Sequence, residues 1–106
     1  MKTNKYESII IIDSQLNEET IKGTIEKFKA LIETHGQVES IEEWGNRRLA
    51  YPIKYKDDGF YVLINFNAEP DFPLEFERVL KITDGILKFL VIRKDEKELS
   101  RNKLSN

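Results

Sequence analysis

Positively charged side chains are concentrated in two segments of an acidic chain. The 106 residues include 17 Lys and Arg against 19 Asp and Glu, for a formal charge of −2. Residues 44–56 nevertheless carry four bases and no acid, and residues 88–106 carry six bases against three acids. Because local charge density governs binding more than the sum does, these segments predict contacts with phosphate groups.

Arginine is the side chain best suited to this chemistry, because its guanidinium can bind phosphate through two parallel hydrogen bonds. Arg47 and Arg48 are adjacent, so in a regular strand they point to opposite faces. One could reach phosphate while the other pairs with Glu42 or Glu43; the alternative is ion pairing within the strand or across strands. The full set of predicted phosphate contacts is Lys5, Arg47, Arg48, Lys54, Lys56, Lys88, Arg93 and Lys94.

Aromatic side chains could add stacking on unpaired bases. The alternative is core packing with a hydroxyl or indole at the edge. We favour core packing for Tyr51, whereas the sequence favours neither role for Tyr6 or Trp44. The complete set of candidates is Tyr6, Trp44, Tyr51, Tyr55 and Tyr61.

Catalysis finds little support in the sequence. The chain has no cysteine and one histidine, His35, which excludes thiol and zinc-finger chemistry. A Ser/His/Asp set is not expected either, because this histidine lies at the end of the predicted first helix. A phosphate hydrolase of the acylphosphatase type would need a glycine-rich anion loop before the first helix, and residues 13–17 contain neither a glycine nor a base. We therefore expect no enzyme activity, no cofactor, no metal and no small-molecule substrate.

The cellular setting follows from composition. The absence of cysteine is typical of a reducing compartment. The longest apolar run is four isoleucines, residues 9–12, against about 20 residues needed to cross a bilayer. We expect a cytoplasmic protein with no membrane partner.

Two helices should position these side chains. Asn17 is a good N-cap, and apolar residues at 21, 25, 28 and 32 form one stripe. We expect Gly36 to end this helix as a left-handed cap. Asp71 can cap the second helix, whose first turn tolerates Pro73.

Four strands complete the pattern. They cover residues 6–12, 38–53, 60–67 and 86–92, with a bend or bulge at Gly45 and a hairpin turn at Asp57-Asp58-Gly59. Lys54 and Lys56 then flank the hairpin tip. If the first and last strands are neighbours, the four cations at their ends lie on one side of the sheet: Lys5, Lys88, Arg93 and Lys94.

The element order is β-α-β-β-α-β, which predicts an α+β, ferredoxin-like fold. This fold is a four-stranded antiparallel sheet with two helices on one face. We expect a single domain over residues 1–94 and a flexible polar tail over residues 95–106.

Two helices cover only one side of such a sheet, so alternation leaves apolar residues on the other. A contiguous apolar face of this kind usually marks a partner site, although scattered surface apolars are the alternative. The predicted partner surface comprises Ile9, Ile11, Tyr61, Leu63, Leu90 and Ile92.

Residues 42–53, Glu-Glu-Trp-Gly-Asn-Arg-Arg-Leu-Ala-Tyr-Pro-Ile, resemble the signature of the bacterial small-subunit ribosomal protein S6 family. The opening Tyr6-Glu7 and the order of the later strands resemble it too, so the resemblance covers residues 5–94. It implies a structural constituent of the small ribosomal subunit. It further implies binding to the central domain of 16S ribosomal RNA as a heterodimer with ribosomal protein S18, a basic partner that supplies much of the RNA contact.

Two other functions remain open. An RNA-recognition-motif domain has the same fold but needs aromatic residues on the open face of its third strand. Here alternation puts Phe60, Ile64 and Phe66 on the core side. A non-catalytic oligomerisation domain would instead pair through the open face or an edge strand.

Overall fold

A computed structural model describes residues 3–94. The elements are β1 (Asn4–Ile12), α1 (Glu18–His35), β2 (Gly36–Ile53), β3 (Lys56–Ala68), α2 (Phe72–Ile82) and β4 (Ile86–Arg93). The strands form one antiparallel sheet in the order β2-β3-β1-β4, which confirms the ferredoxin-like fold. The predicted flexible tail lies outside the described residues, and a single domain over 1–94 stays a prediction.

Helix α1 begins as its sequence predicts and ends differently. The Asn17 side chain accepts a 2.8 Å hydrogen bond from the Thr20 amide, which satisfies one free donor of the first turn. Gly36 is not a left-handed cap, because its φ of 175° is extended and it begins β2. A Cβ there would collide with the carbonyl oxygen of Asn67. This glycine therefore permits close approach of two strands rather than a helix turn.

Helix α2 begins after Asp71, with Pro73 in its first turn. Asp71 occupies the predicted cap position, but its side chain makes no capping hydrogen bond there. The buried stripe of this helix consists of Phe72, Phe76 and Leu80. These side chains pack on the sheet, so burial rather than capping is the main stabilisation of α2.

The main core lies between the helices and one face of the sheet. Alternate residues of β1 and β3 point into it, as a half-buried sheet requires. Phe66 is its centre, with ring centroids 6.0 Å from Phe72 and 5.6 Å from Phe76. The buried Ser8 hydroxyl donates a hydrogen bond to the Ile64 carbonyl.

The hairpin between β2 and β3 turns earlier than predicted. Ile53 pairs with Lys56, so Lys54 and Tyr55 form the turn, with φ values of 50° and 65°. These left-handed angles suit a tight hairpin turn although neither residue is glycine. The prediction of a turn at Asp57-Asp58-Gly59 is wrong. Gly59 lies inside β3, where a Cβ would collide with the Ile11 side chain.

The same hairpin folds back over the face of the sheet that the helices leave uncovered. Arg48 pairs with Asp58 and Ile53 with Lys56, so residues 49–52 of β2 lie opposite residue 57 alone. This long bulge lets Leu49 pack against Ile11 and Leu87 in a second, smaller apolar cluster. The open face is therefore partly covered by the chain itself.

Candidate functional site

The strand register brings the predicted partner surface together on the open face. Ile9 lies between Leu63 and Leu90, and Ile11 lies between Tyr61 and Lys88. The alternation inferred from the sequence is confirmed, because the neighbouring residues of β1 and β3 point into the core. Ile92, opposite Glu7, extends the same face along β4.

This face is less bare than expected. Ile11 and Leu63 each expose only 8% of their surface, and Leu49 of the hairpin packs on Ile11. Leu90 remains 51% exposed, whereas Ile9, Tyr61 and Ile92 are half-buried. The accessible apolar surface thus runs along β1 and β4. It includes a groove of about 170 Å³ lined by Ile9, Ile11, Lys88, Phe89 and Leu90.

A bulge in β2 brings Trp44 and Arg47 to the same face. Residues three apart in a regular strand point to opposite faces. The register shifts between Glu43 and Gly45, and Gly45 has a φ of 83°, as the predicted bulge requires. The Arg47 guanidinium consequently lies 5.4 Å from the Trp44 ring centroid.

The two arginines differ in their surroundings. Arg47 pairs with Gly59, whose missing Cβ would meet Ile11, so Arg47 lies on the open side. Its neighbour Arg48 follows on the opposite side, as predicted. Neither arginine forms an ion pair in the described part of the chain, so the predicted pairing of one arginine with Glu42 or Glu43 and the alternative of ion pairing within or across strands are both wrong. Both guanidinium groups are available to an anion.

Three of the predicted phosphate contacts hold the hairpin against the rest of the molecule. The Lys54 amine donates to the Ile86 carbonyl at 3.1 Å. Lys56 donates to Gln15 Oε1 at 2.6 Å and lies 3.5 Å from an Asp13 carboxylate oxygen. These contacts connect the turn to β4 and to the loop before α1.

The third contact is that of Lys88 with Tyr51. Its amine donates to the Tyr51 hydroxyl at 2.9 Å and lies 5.4 Å from the ring centroid. This hydrogen bond raises the pKa of Lys88, which favours the charged form of the side chain. Lys88 therefore joins the hairpin to β4 and keeps its positive charge.

The four cations at the ends of β1 and β4 do not share one side of the sheet. The strands are neighbours, but Arg93 pairs with Tyr6, whose ring points into the core, so Arg93 lies on the helix side. Lys5 precedes Tyr6 on the open side, and Lys94 follows Arg93. Lys88 lies opposite Ile11 near the other end. The prediction of one shared side is wrong because strand alternation separates Arg93.

The aromatic candidates separate into buried and exposed groups. Tyr6 is in the core, with its ring 5.5 Å from that of Phe66. Tyr51 is 58% exposed, so the prediction of core packing is wrong; the long bulge that turns Leu49 inward leaves Tyr51 outside. Tyr55 is fully exposed at the turn, and Trp44 is 39% exposed.

The sequence left the role of Trp44 open between base stacking and core packing, and it did not place Trp44 beside Arg47. Its ring stacks on Tyr61, with centroids 6.4 Å apart and planes at 12°, and Arg47 lies over it. The glycine that follows Trp44 was the available signal, because a bulge at Gly45 changes which residues share a face.

Neither helix is long and apolar enough to cross a membrane, among residues 3–94. Over the same residues, no group of three or more His, Asp or Glu side chains could hold a metal ion.

Three comparisons with known proteins agree. A family model described as ribosomal protein S6 matches residues 5–93. The small ribosomal subunit protein bS6 of Caldanaerobacter subterraneus subsp. tengcongensis is 52% identical over 92 residues, covering 86% of this chain and 97% of the relative. The bS6 protein of Clostridium novyi is 49% identical over the same shares.

The fold gives the same result. A crystal structure of 30S ribosomal protein S6 from Thermotoga maritima matches with a TM-score of 0.85 and 29% identity, covering 99% of this chain and 100% of that one. The relatives bear the names of structural ribosomal proteins, which are not enzymes. The chain therefore belongs to the ribosomal protein S6 family and is a structural protein of the small ribosomal subunit.

Proposed function

We propose that this protein binds the central domain of 16S ribosomal RNA jointly with ribosomal protein S18. In this proposal Arg47 and Arg48 contact RNA phosphates, and the apolar surface along β1 and β4 contacts S18. The protein acts in the cytoplasm, where the small subunit is found.

RNA binding is supported mainly by the surroundings of Arg47 and Arg48. They lie in a segment with four bases and no acid, and no described carboxylate pairs with either. A guanidinium without an internal partner can form bidentate bonds to phosphate at no cost in broken ion pairs. Such contacts fix the position of a protein on RNA without reading its sequence.

The proposed contact with S18 is supported by exposed apolar surface. Leu90 is the most exposed large apolar residue of the sheet's open face apart from the aromatic side chains of the hairpin. It borders the groove that Ile9 and Ile11 line. When a partner covers exposed aliphatic surface next to a groove, that surface is removed from water, and this favours binding. A basic partner would also compensate for the net charge of −2.

The RNA half is tested with a fragment of the 16S central domain and purified S18. We expect Arg47→Ala/Arg48→Ala to weaken assembly at every salt concentration and to lower the slope of log affinity against log salt by about two, one for each phosphate contact. Arg78→Ala on α2 is the matched control, since Arg78 is bound to Glu75. Unchanged assembly of the double variant would remove the arginines from the site.

The S18 half is tested by measuring binding to S18 without RNA. We expect Leu90→Ala to weaken binding by about fivefold or more, equal to about 1 kcal/mol for an interface residue that matters. The control is Leu74→Ala, because Leu74 is an equally large exposed residue on α2. Equal affinities of the two variants would contradict the proposed surface.

A further inference from the structure

Three side chains form one stack on the open face. The Arg47 guanidinium lies 5.4 Å from the centroid of the Trp44 ring, within the distance at which a cation is attracted by an aromatic face. The Trp44 ring stacks in turn on Tyr61 of β3. Tyr61 is half-buried and packs against the small apolar cluster of Ile11, Leu49 and Leu87. The stack is therefore held in the sheet at one end and reaches solvent at the other.

The backbone of β2 is shaped to build this stack. Gly45 has a positive φ, and a Cβ there would meet nothing within 4 Å. Crowding therefore does not explain the glycine, whereas the left-handed backbone of the bulge does. The bulge puts Trp44 and Arg47 on one face, which an unbroken strand would prevent.

We infer that Trp44 is a positioning residue that holds the Arg47 guanidinium for an RNA phosphate. The inference rests on the proposed function, because it requires Arg47 to contact RNA. A free arginine side chain loses much rotational freedom when it binds. Stacking on the indole restricts those rotations beforehand and leaves the N–H groups at the guanidinium edge free for the phosphate oxygens.

The expected size of the effect follows from the exposure of the site. A cation–π contact at an exposed position contributes about 0.5–1 kcal/mol, which corresponds to about two- to fivefold in affinity at 1.4 kcal/mol per factor of ten. Removing the indole should weaken RNA binding by that factor while leaving the arginine in place.

The test is a double-mutant cycle on RNA affinity, using S18 and the central-domain fragment. The variants are Trp44→Leu, which keeps an apolar side chain on Tyr61, Arg47→Ala, and the two combined. We expect Arg47→Ala to cost clearly less affinity in the leucine background than in the wild type. Trp44→Phe, which retains an aromatic face, should restore most of the affinity lost in Trp44→Leu.

Arg48 supplies the matched control cycle, because it points to the other side of β2. Trp44→Leu and Arg48→Ala should be additive. If Trp44→Leu and Arg47→Ala are additive as well, Trp44 does not position Arg47, and the inference fails while the phosphate contact stands. If Arg47→Ala has no effect in the wild type, the proposed RNA contact itself fails.

A second measurement needs no RNA. Trp44 is the chain's one tryptophan, so tryptophan emission reports on this stack directly. We expect Arg47→Ala to change the emission and Arg48→Ala to leave it unchanged. Unchanged emission in Arg47→Ala would show that the guanidinium does not lie on the ring, and would overturn the inference.

Discussion

Two arginines, Arg78 and Arg47, lie on opposite sides of the molecule and have different partners. Arg78 on α2 donates from Nε and a terminal nitrogen to both carboxylate oxygens of Glu75, at 3.1 and 2.6 Å. That pairing raises the pKa of Arg78 and lowers the pKa of Glu75. Arg47 rests on an indole with no carboxylate partner in the described chain. The charge of Arg78 is therefore neutralised on α2, whereas the charge of Arg47 remains available on the open face.

Buried apolar side chains are also distributed unequally between the two faces of the sheet. Between the helices and the sheet, Phe28, Phe66 and Phe76 are completely buried. On the open face, the buried cluster consists of Ile11, Leu49 and Leu87, and Leu63 is buried as well. The helix side should therefore supply most of the stability and the open side most of the binding.

The largest effect is expected from the helix side. Phe76→Ala should lower the free energy of unfolding by about 3–5 kcal/mol, because it removes a fully buried ring that contacts three other aromatic rings. Leu90→Ala on the open face should change it by less than about 0.5 kcal/mol. Urea denaturation of both variants measures the contrast, and similar losses would contradict the division.

A smaller loss is expected where the hairpin contacts the sheet. Leu49→Ala should cost about 2 kcal/mol, at the lower end for a buried leucine because its cluster is small and near the surface. Amide exchange in residues 46–58 should accelerate more than in α1, since these residues depend on the contact. Uniform acceleration across the chain would mean that the hairpin is no separate unit.

The bulge at Gly45 should contribute less to stability than the packing of Leu49. Gly45→Ala should cost about 1 kcal/mol, because alanine is strained at a φ of 83° although its Cβ has room. It should also weaken RNA assembly by displacing Arg47. The matched variant is Gly23→Ala in the middle of α1, where a Cβ also meets nothing and where alanine should stabilise by about 0.5–1 kcal/mol. Equal effects at the two glycines would remove the special role of the bulge.

The smallest effect concerns the exposed pair of Glu75 and Arg78. The lowered pKa of Glu75 means that its carboxylate stabilises the folded state at neutral pH, and that this contribution disappears as the pH falls through the folded-state pKa. Wild type and Glu75→Gln should therefore differ slightly in melting temperature at pH 7 and converge in acid. A difference that grows with acidity would contradict the pairing. RNA assembly should be unaffected at pH 7.

Much of the fold was readable from local patterns. The cap at Asn17, the stripe of α1 and the alternation in β3 each involve residues near one another in sequence, so spacing alone predicts them. The bulge at Gly45 was predictable for the same reason, because left-handed backbone favours glycine.

Other features depended on contacts between distant segments. Gly59 resembled a turn residue, but its lack of a side chain makes room for Ile11, 48 positions earlier. The turn formed instead at Lys54 and Tyr55. Lys54 bonds to β4, and Lys56, the residue after the turn, bonds to the loop before α1.

The candidate site shows the same limit. By itself, the sequence determined which residue types are concentrated in β2 and which residues of β1 and β3 share a face, because charge and alternation are local properties. Only the tertiary structure decided that Arg47 lies on Trp44, that Leu49 covers Ile11 and that Arg93 faces away from Lys5. Those outcomes depend on strand register and on how far the hairpin folds back, and both are set by packing between segments far apart in the chain.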